Sequence, residues 1–385
     1  MKIVHVCLSM GYTEGLNYQE NVIIKYQAGD GHDVTLITTD HCFHEGEWGL
    51  CQTESDYINP DGVHIIRLPF AFRIPYKINK QIGIFKGFYP LLEKIRPDVI
   101  FVHNLQFQDI RKVAKYKKHH PEVKVNADNH SDFSNSARNW FSRNTLYRFW
   151  WKPCVKAVEP YVDKFFGVMP SRVDFLQNIY GIAKEKTDLL FMGADDECVE
   201  RAASPEVRKA IREKYGIREN FLVMTGGKID SFKTQTLLLM EAVKEIEHPR
   251  LRLLIFGSVE EGLKERFDTL CDGKKIQYMG WARGDQPYEY FATADLIVFP
   301  GRHSVYWEQV VAQGIPMLCK YWDGTTHVDI GGNVHFLKED SVQVIKTELQ
   351  GLLDHPEEYE KMKQAALSNR RHEFSYKQIA RRSIG

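Results

Sequence analysis

The chain has 385 residues, 51 lysines and arginines against 51 aspartates and glutamates, a formal net charge of zero and 43% hydrophobic residues. That length suits two domains rather than one small core, and the zero balance provides no field to gather nucleic acid, so no nucleic-acid partner is expected. No apolar run reaches the ~18 residues of a membrane span, MKIVHVCLS opens on a strand pattern and not a signal peptide, and seven cysteines without a C-x-x-C pair suggest reduced thiols in a cytoplasmic setting.

Lys2 to Ser9 reads as a buried strand, followed by a loop from Met10 to Gly15, a helix from about Tyr18 to Ala28 and a strand over Val34–Thr38. Strand, glycine loop, helix, strand is the start of a Rossmann-like unit. In Asp40–Tyr57, His41, Cys42, His44 and Cys51 are zinc-capable types, but their spacing fits no ligand pattern, so a plain loop is expected. Val63–Leu68 reads as a strand, Ile82–Ile95 as a helix stopping before Pro97, and Asp98–His103 and Val123–Asp128 as buried strands. His130 follows the last of these in a polar loop, Asp128-Asn129-His130-Ser131-Asp132; it is either a site histidine or one that caps a turn. His119 and His120, beside Lys115, Lys117 and Lys118, read as solvated surface. Arg138 to Tyr161 mixes Trp140, Phe141, Phe149, Trp150 and Trp151 with Arg143, Arg148, Lys152 and Lys156. Such a mixture describes either an interfacial surface or the aromatic core side of a Rossmann helix.

Phe165–Met169 is the next strand, and Pro170-Ser171 opens a helix. A second domain starts near Phe221. Its first strand, Phe221–Thr225, runs into the glycine loop Gly226-Gly227-Lys228-Ile229-Asp230-Ser231-Phe232-Lys233, and a helix carrying Leu239, Val243 and Ile246 follows. Leu251–Phe256 closes on Gly257-Ser258, and Ile276–Met279 closes on Gly280, just before Trp281 and Arg283. Leu296–Phe299 is a short buried parallel strand, stopped by Pro300 and Gly301. The loop Arg302-His303-Ser304-Val305 leads to a helix from about Tyr306, capped by Gly314 with Pro316 beyond. Glu308 thus sits in a first helical turn at the carboxyl edge of a sheet, where open α/β sheets bind ligands. Its carboxylate either accepts from ribose hydroxyls beside an anion-binding helix end or only complements the helix dipole. Helices over Ser341–Leu353 and Glu357–Leu367 and a final segment, Phe374–Arg382, complete the chain.

The runs IQYMGWARGDQPYEYFATADLIVFP and WEQVVAQGIPML resemble the donor half of the family 4 retaining glycosyltransferases, which have the two-Rossmann GT-B fold. Gly15 with its flanking strand and helix, Asp98–His103, and the Leu189–Asp195 turn resemble the other half and the hinge. Pro300 stands where that family usually has the first of two glutamates, Glu14 replaces the first glycine of a pair, Met192 stands in for an asparagine, and Lys228 for an arginine. The resemblance implies an α/β protein of two Rossmann-like domains facing a cleft: 1–193, with a returning C-terminal helix at 371–385, on the acceptor side, and 194–370 binding the donor. It implies transfer of a sugar, with retention, from a nucleotide diphosphate-sugar (UDP favoured) to a hydroxyl acceptor. Lys228 and Lys233 would hold the diphosphate, Glu308 the ribose and His130 the transferred sugar. Gly15, Gly227, Gly257, His303, Ser304 and Val305 would approach the donor, with Trp281 and Arg283 where the backbone reads the base. No D-x-D pair stands where a metal–diphosphate bridge needs one, so neither metal nor cofactor is expected. The implied acceptor is a glycan or lipid-linked glycan of a cell-surface polysaccharide, with peripheral contact to the inner membrane if the aromatics of 138–156 point outward. A sugar-nucleotide epimerase of the same fold remains open, as does a non-catalytic partner subunit, the reading that Pro300 suggests.

Overall fold

The apolar runs pair in parallel because helices long enough for crossovers lie between them. The computed structural model describes residues 1–44, 47–133, 136 and 139–385; Arg138, the first cation of the aromatic stretch, and the side chain of His44 lie outside what is described. In the first half the strands are β1 (Lys2–Cys7), β2 (Asp33–Thr39), β3 (His41–His44), β4 (Glu47–Leu50), β5 (Asp56–Ile58), β6 (His64–Leu68), β7 (Val99–Val102), β8 (Lys124–Asn129), β9 (Lys164–Gly167) and β10 (Thr187–Leu189). Eight of them form one sheet in the order β10-β9-β8-β7-β1-β2-β6-β5. It is parallel apart from β5, which runs against β6. In the second half, β11 (Phe221–Gly226), β12 (Leu251–Phe256), β13 (Ile276–Tyr278), β14 (Leu296–Phe299), β15 (Met317–Lys320) and β16 (Val334–Leu337) form an all-parallel sheet in the order β13-β12-β11-β14-β15-β16. This is an α/β chain with two Rossmann-like bodies.

The chain divides into one unit of Met1–Met192 with Tyr376–Gly385 and a second of Gly193–Ser375. Ile3, Val4, Ile100 and Val102 are fully buried in the first, Val223, Leu253, Leu296 and Val298 in the second. The last helix, Tyr376–Ile384, packs into the first unit: Asn126 Nδ2 donates to Ser383 O at 2.7 Å, and Arg381 pairs with Asp30 at 2.8 Å. Each sheet reverses its order once, at β1 between β2 and β7 and at β11 between β12 and β14. Loops leaving the carboxyl ends at such a reversal leave a crevice for ligands.

Three local expectations need correction. The stretch expected as a plain loop after β2 contains the antiparallel hairpin β3–β4; among the described residues His41, Cys42 and Cys51 belong to no metal-ligand cluster. The helix expected over Ile82–Ile95 is two helices, Tyr76–Ile82 and Phe88–Ile95, because Gly83 and Gly87 take φ of +64° and +75°, a left-handed conformation that breaks the spiral. The aromatic stretch is a wide π-helix over Ser142–Trp151. Its residues divide: Tyr147 and Trp151 are core, while Trp140, Phe141, Phe149 and Trp150 are exposed. No helix among the described residues is long and apolar enough to cross a membrane.

Two turns of the second sheet touch backbone to backbone. A Cβ on Gly257 (φ +127°) would lie 1.8 Å from the carbonyl oxygen of Gly227. Gly257→Ala should therefore destabilise the protein by about 2 kcal/mol or more, from clash and strain together. Gly262→Ala, in the helix Glu261–Leu270 with nothing within 4 Å of its added carbon, should be neutral or stabilising by up to about 1 kcal/mol. Denaturant midpoints of the two variants check this contrast.

Candidate functional site

The loops leaving β11 and β14, neighbours at the reversal of the second sheet, enclose a recess of about 370 Å³ including the space open to solvent. Gly226, Gly227, Lys228 and Lys233 come from the first loop, Gly301, Arg302 and Ser304 from the second. Gly227 adopts φ +122°, which lets the backbone turn sharply enough to border the recess. Thr236, in the first turn of the helix Gln235–Glu245, lines it too, so a helix end with free N–H groups adjoins it. Lys228 is exposed and reaches Asp230 at 3.3 Å. Burial pushes the Lys233 ammonium below its usual value; Asp230 opposes that shift, and the charges of Arg302 and Lys228 add to it. Arg302 lies over the Phe232 ring at 5.3 Å. Three cations crowd one acid, an arrangement that favours a polyanion such as a diphosphate.

Glu308 opens the helix Tyr306–Ala312 and is fully buried. His303 Nε2 and His327 Nε2 donate to its Oε1 at 2.8 and 2.9 Å. Burial alone would raise its carboxyl pKa, but the two imidazoles override it and hold the group well below the usual carboxylate range. The ribose contact expected of Glu308 needs an oxygen at the surface; here both lie beneath it, and Glu308 is not among the residues lining the recess.

The first unit holds a second buried polar assembly. Gln27 Nε2 donates to Ala380 O at 3.1 Å and to Ser383 Oγ at 2.9 Å. A carbonyl only accepts, so the Gln27 amide oxygen must face His5, whose Nε2–H donates to it at 2.6 Å. His5 Nδ1 meets His103 Nε2 at 2.9 Å, and His103 Nδ1 meets Asp128 Oδ2 at 3.1 Å. Burial first, and His103 second, push His5 down to about 3. Burial alone would raise Asp128, but the charges of His130 and His103 and their hydrogen bonds prevail and hold it well below the carboxylate range. Each ring of the row thus has both nitrogens within hydrogen-bond distance of a partner. The other oxygen of Asp128 accepts from Asn104 N at 2.8 Å and orients His130, whose Nε2 lies 3.3 Å away.

Of the residues singled out in the sequence, the recess gathers Gly227, Lys228, Lys233 and Ser304. His303 turns from it to Glu308, Val305 caps the following helix, and Gly257 packs on Gly227. Trp281 and Arg283 are exposed after β13, outside the lining. Gly15 and His130 belong to the first unit, Gly15 with φ +77° in the loop after β1. Sequence reasoning missed Arg302, His327, His5 and Gln27. A histidine inside the apolar strand KIVHVC was the available signal for His5, and a position just past β15, the strand beside β14, was the signal for His327.

No family model and no curated protein matches the sequence. The fold is nevertheless that of the GT-B glycosyltransferases. The chain is similar over 99% of its length to a glycosyltransferase from Rickettsia africae (TM-score 0.69, 16% identity, 96% of that chain). It is similar over 99% to Anabaena Alr3699/HepE crystallised with UDP (TM-score 0.68, 15% identity, 98% of that chain). It is also similar over 99% to the UDP-GlcNAc 2-epimerase of Neisseria meningitidis bound to UDP-GlcNAc (TM-score 0.63, 15% identity, 98% of that chain).

Removing the charge at Asp128 tests the buried row. Asp128→Asn should cost about 3–5 kcal/mol, the usual result of leaving one partner of a buried pair uncompensated. Because the folded carboxyl sits below its unfolded value, its stabilisation is complete above about pH 3.9 and is lost as pH falls from there through the folded value. Urea midpoints should therefore fall on acidification from about pH 4 more steeply in the wild type than in Asp128→Asn.

Proposed function

We propose that the protein is a retaining glycosyltransferase of the family 4 type, which moves a sugar from a UDP-sugar to a hydroxyl acceptor in the synthesis of a cell-surface glycan. The observation that carries this reading is the convergence of Lys228, Lys233 and Arg302 on one recess at the reversal of the second sheet. In glycosyl transfer from a nucleotide diphosphate the leaving group gains negative charge. Fixed cations and helix N–H groups stabilise that charge without reorganising. The crystallised complexes of HepE with UDP and with UDP-glucose support a uridine nucleotide as donor. Glu308 then acts indirectly, by anchoring His303 between Arg302 and Ser304. The likeness to an epimerase bound to UDP-GlcNAc favours a second reading, epimerisation of the sugar nucleotide; product analysis separates the two, since only transfer leaves the sugar on an acceptor.

A saturating UDP-sugar should stabilise the protein by about 2.7 kcal/mol at a hundredfold excess over Kd. Lys228→Ala and Lys233→Ala should each weaken donor binding by about tenfold or more, with effects that do not add because both act on one diphosphate. A double variant with unchanged donor Kd would sink this assignment. His130→Ala should lower kcat while leaving donor Kd within about twofold, as for a group used in turnover and not in nucleotide binding.

A lipid-linked acceptor is part of the proposal. Trp140, Phe141, Phe149 and Trp150 are 76%, 69%, 77% and 45% exposed in one segment, where Arg148 and Lys156 are also exposed. Arg143 is engaged, with its guanidinium 5.0 Å from the Phe133 ring centroid. Exposed tryptophans favour the headgroup level of a bilayer, and each nearby cation adds about 1 kcal/mol on an anionic leaflet. The protein should co-sediment with anionic vesicles, less so as salt rises, and Trp140→Ser with Phe149→Ser should release it. Absence of vesicle binding at low salt would leave the acceptor a water-soluble sugar.

A further inference from the structure

The cluster of His303, Glu308 and His327 has a geometry that anchoring alone does not require. One ligand-capable atom from each lies within 4.8 Å of the others. The two imidazole nitrogens stand 2.8 and 2.9 Å from Glu308 Oε1. Ligand atoms on one zinc, at bond lengths of about 2.0–2.2 Å, are themselves about 2.9–3.4 Å apart. The carboxylate–imidazole spacings are therefore close to those of a coordination shell, and the two nitrogens lie within 4.8 Å of each other.

The environment points the same way. Glu308 is fully buried, and its Oε2 has no hydrogen-bond partner among the described residues. Both imidazoles approach the other oxygen, so half of a desolvated carboxylate lacks a counterpart, which is costly. A divalent cation can engage both oxygens. The His327 side chain is 3% exposed and that of His303 11%. The Trp307 ring centroid lies 5.0 Å from that of His303, and the Phe374 centroid 6.2 Å from that of His327. Two imidazoles and one carboxylate in such a shell match the ligand preference of zinc, with a fourth position for water.

We propose that His303, Glu308 and His327 bind one divalent transition-metal ion, zinc by ligand type. The ion joins the loop after β14 to the segment Thr326–Val328, and because His303 lies between Arg302 and Ser304 it fixes the side of the recess they form. None of its three protein ligands lines the recess, so it is distinct from a metal that bridges a diphosphate.

The test uses the full chain without a histidine tag, stripped with EDTA and titrated with Co²⁺ by visible absorption and with Zn²⁺ by calorimetry. One equivalent of each should bind, with the d–d bands of a low-coordinate cobalt site. His303→Asn and His327→Gln should each weaken binding more than about tenfold, while Lys233→Ala should bind the ion as the wild type does. Glu308→Gln, which keeps the side-chain shape, provides a third ligand variant, and circular dichroism confirms which variants fold. Absence of saturable one-equivalent binding by the wild type overturns the proposal, as does wild-type affinity in any folded ligand variant. The titration needs no nucleotide sugar, so its failure leaves the donor reading standing, and failure of donor binding leaves the metal site standing.

Discussion

A carboxylate taken fully out of water must be met by donors inside the protein, and Asp128 and Glu308 both face that demand. Asp128 in the first unit and Glu308 in the second are both buried, and each is met by two histidines. Desolvation penalises an ionised group by several kcal/mol unless partners compensate for it. In both cases the facing imidazoles outweigh burial and hold the carboxyl below its usual range. Each assembly lies near the carboxyl edge of its sheet, where the order of the strands makes loops diverge. Charge is thus stored under the surface that the loops form.

The two assemblies solve the problem differently. Asp128 belongs to a row that continues through His103, His5 and Gln27 into the last helix. Glu308 concentrates both imidazoles on one oxygen and leaves the other bare. Lysines and an arginine border the recess that the loop after β14 helps to form, while Trp307 and Phe374 pack against the imidazoles that hold Glu308. Cationic surface and anionic interior are separated by a single loop, Arg302 to Val305.

The fold class was legible because it rests on local signals. Apolar runs of strand length, ended by glycine or proline and separated by amphipathic stretches, specify parallel sheets with little ambiguity, as β11, β12 and β14 illustrate. Gly226 to Lys233 was legible for the same reason, since one contiguous loop carries two glycines and two lysines. Assemblies built across the fold were harder to read. Arg302 joins the lysines only because β14 lies beside β11, and His5, Gln27 and Ser383 meet although Gln27 and Ser383 are 356 residues apart. The division of the aromatic stretch into Trp151 inside and Trp150 outside was hidden too, because a π-helix advances its side chains at a period other than 3.6. The hairpin β3–β4 escaped because strands of four residues give too short an alternation to read.

The last helix has a consequence for how the protein comes into being. Tyr376, Ile379 and Ala380 complete a core that includes Val22, Ile23 and Phe101. Everything between Gly193 and Ser375 is made before that helix exists. During synthesis the first unit must therefore wait with an open apolar seam and an unanswered Gln27 while the whole second unit emerges and folds as its own domain. Closing contacts of this separation is slow by loop entropy alone. Such a chain is most exposed to chaperones, proteases and aggregation in the interval before Tyr376–Ile384 emerges, and cutting the chain at the boundary near Met192 would leave the first unit without that helix.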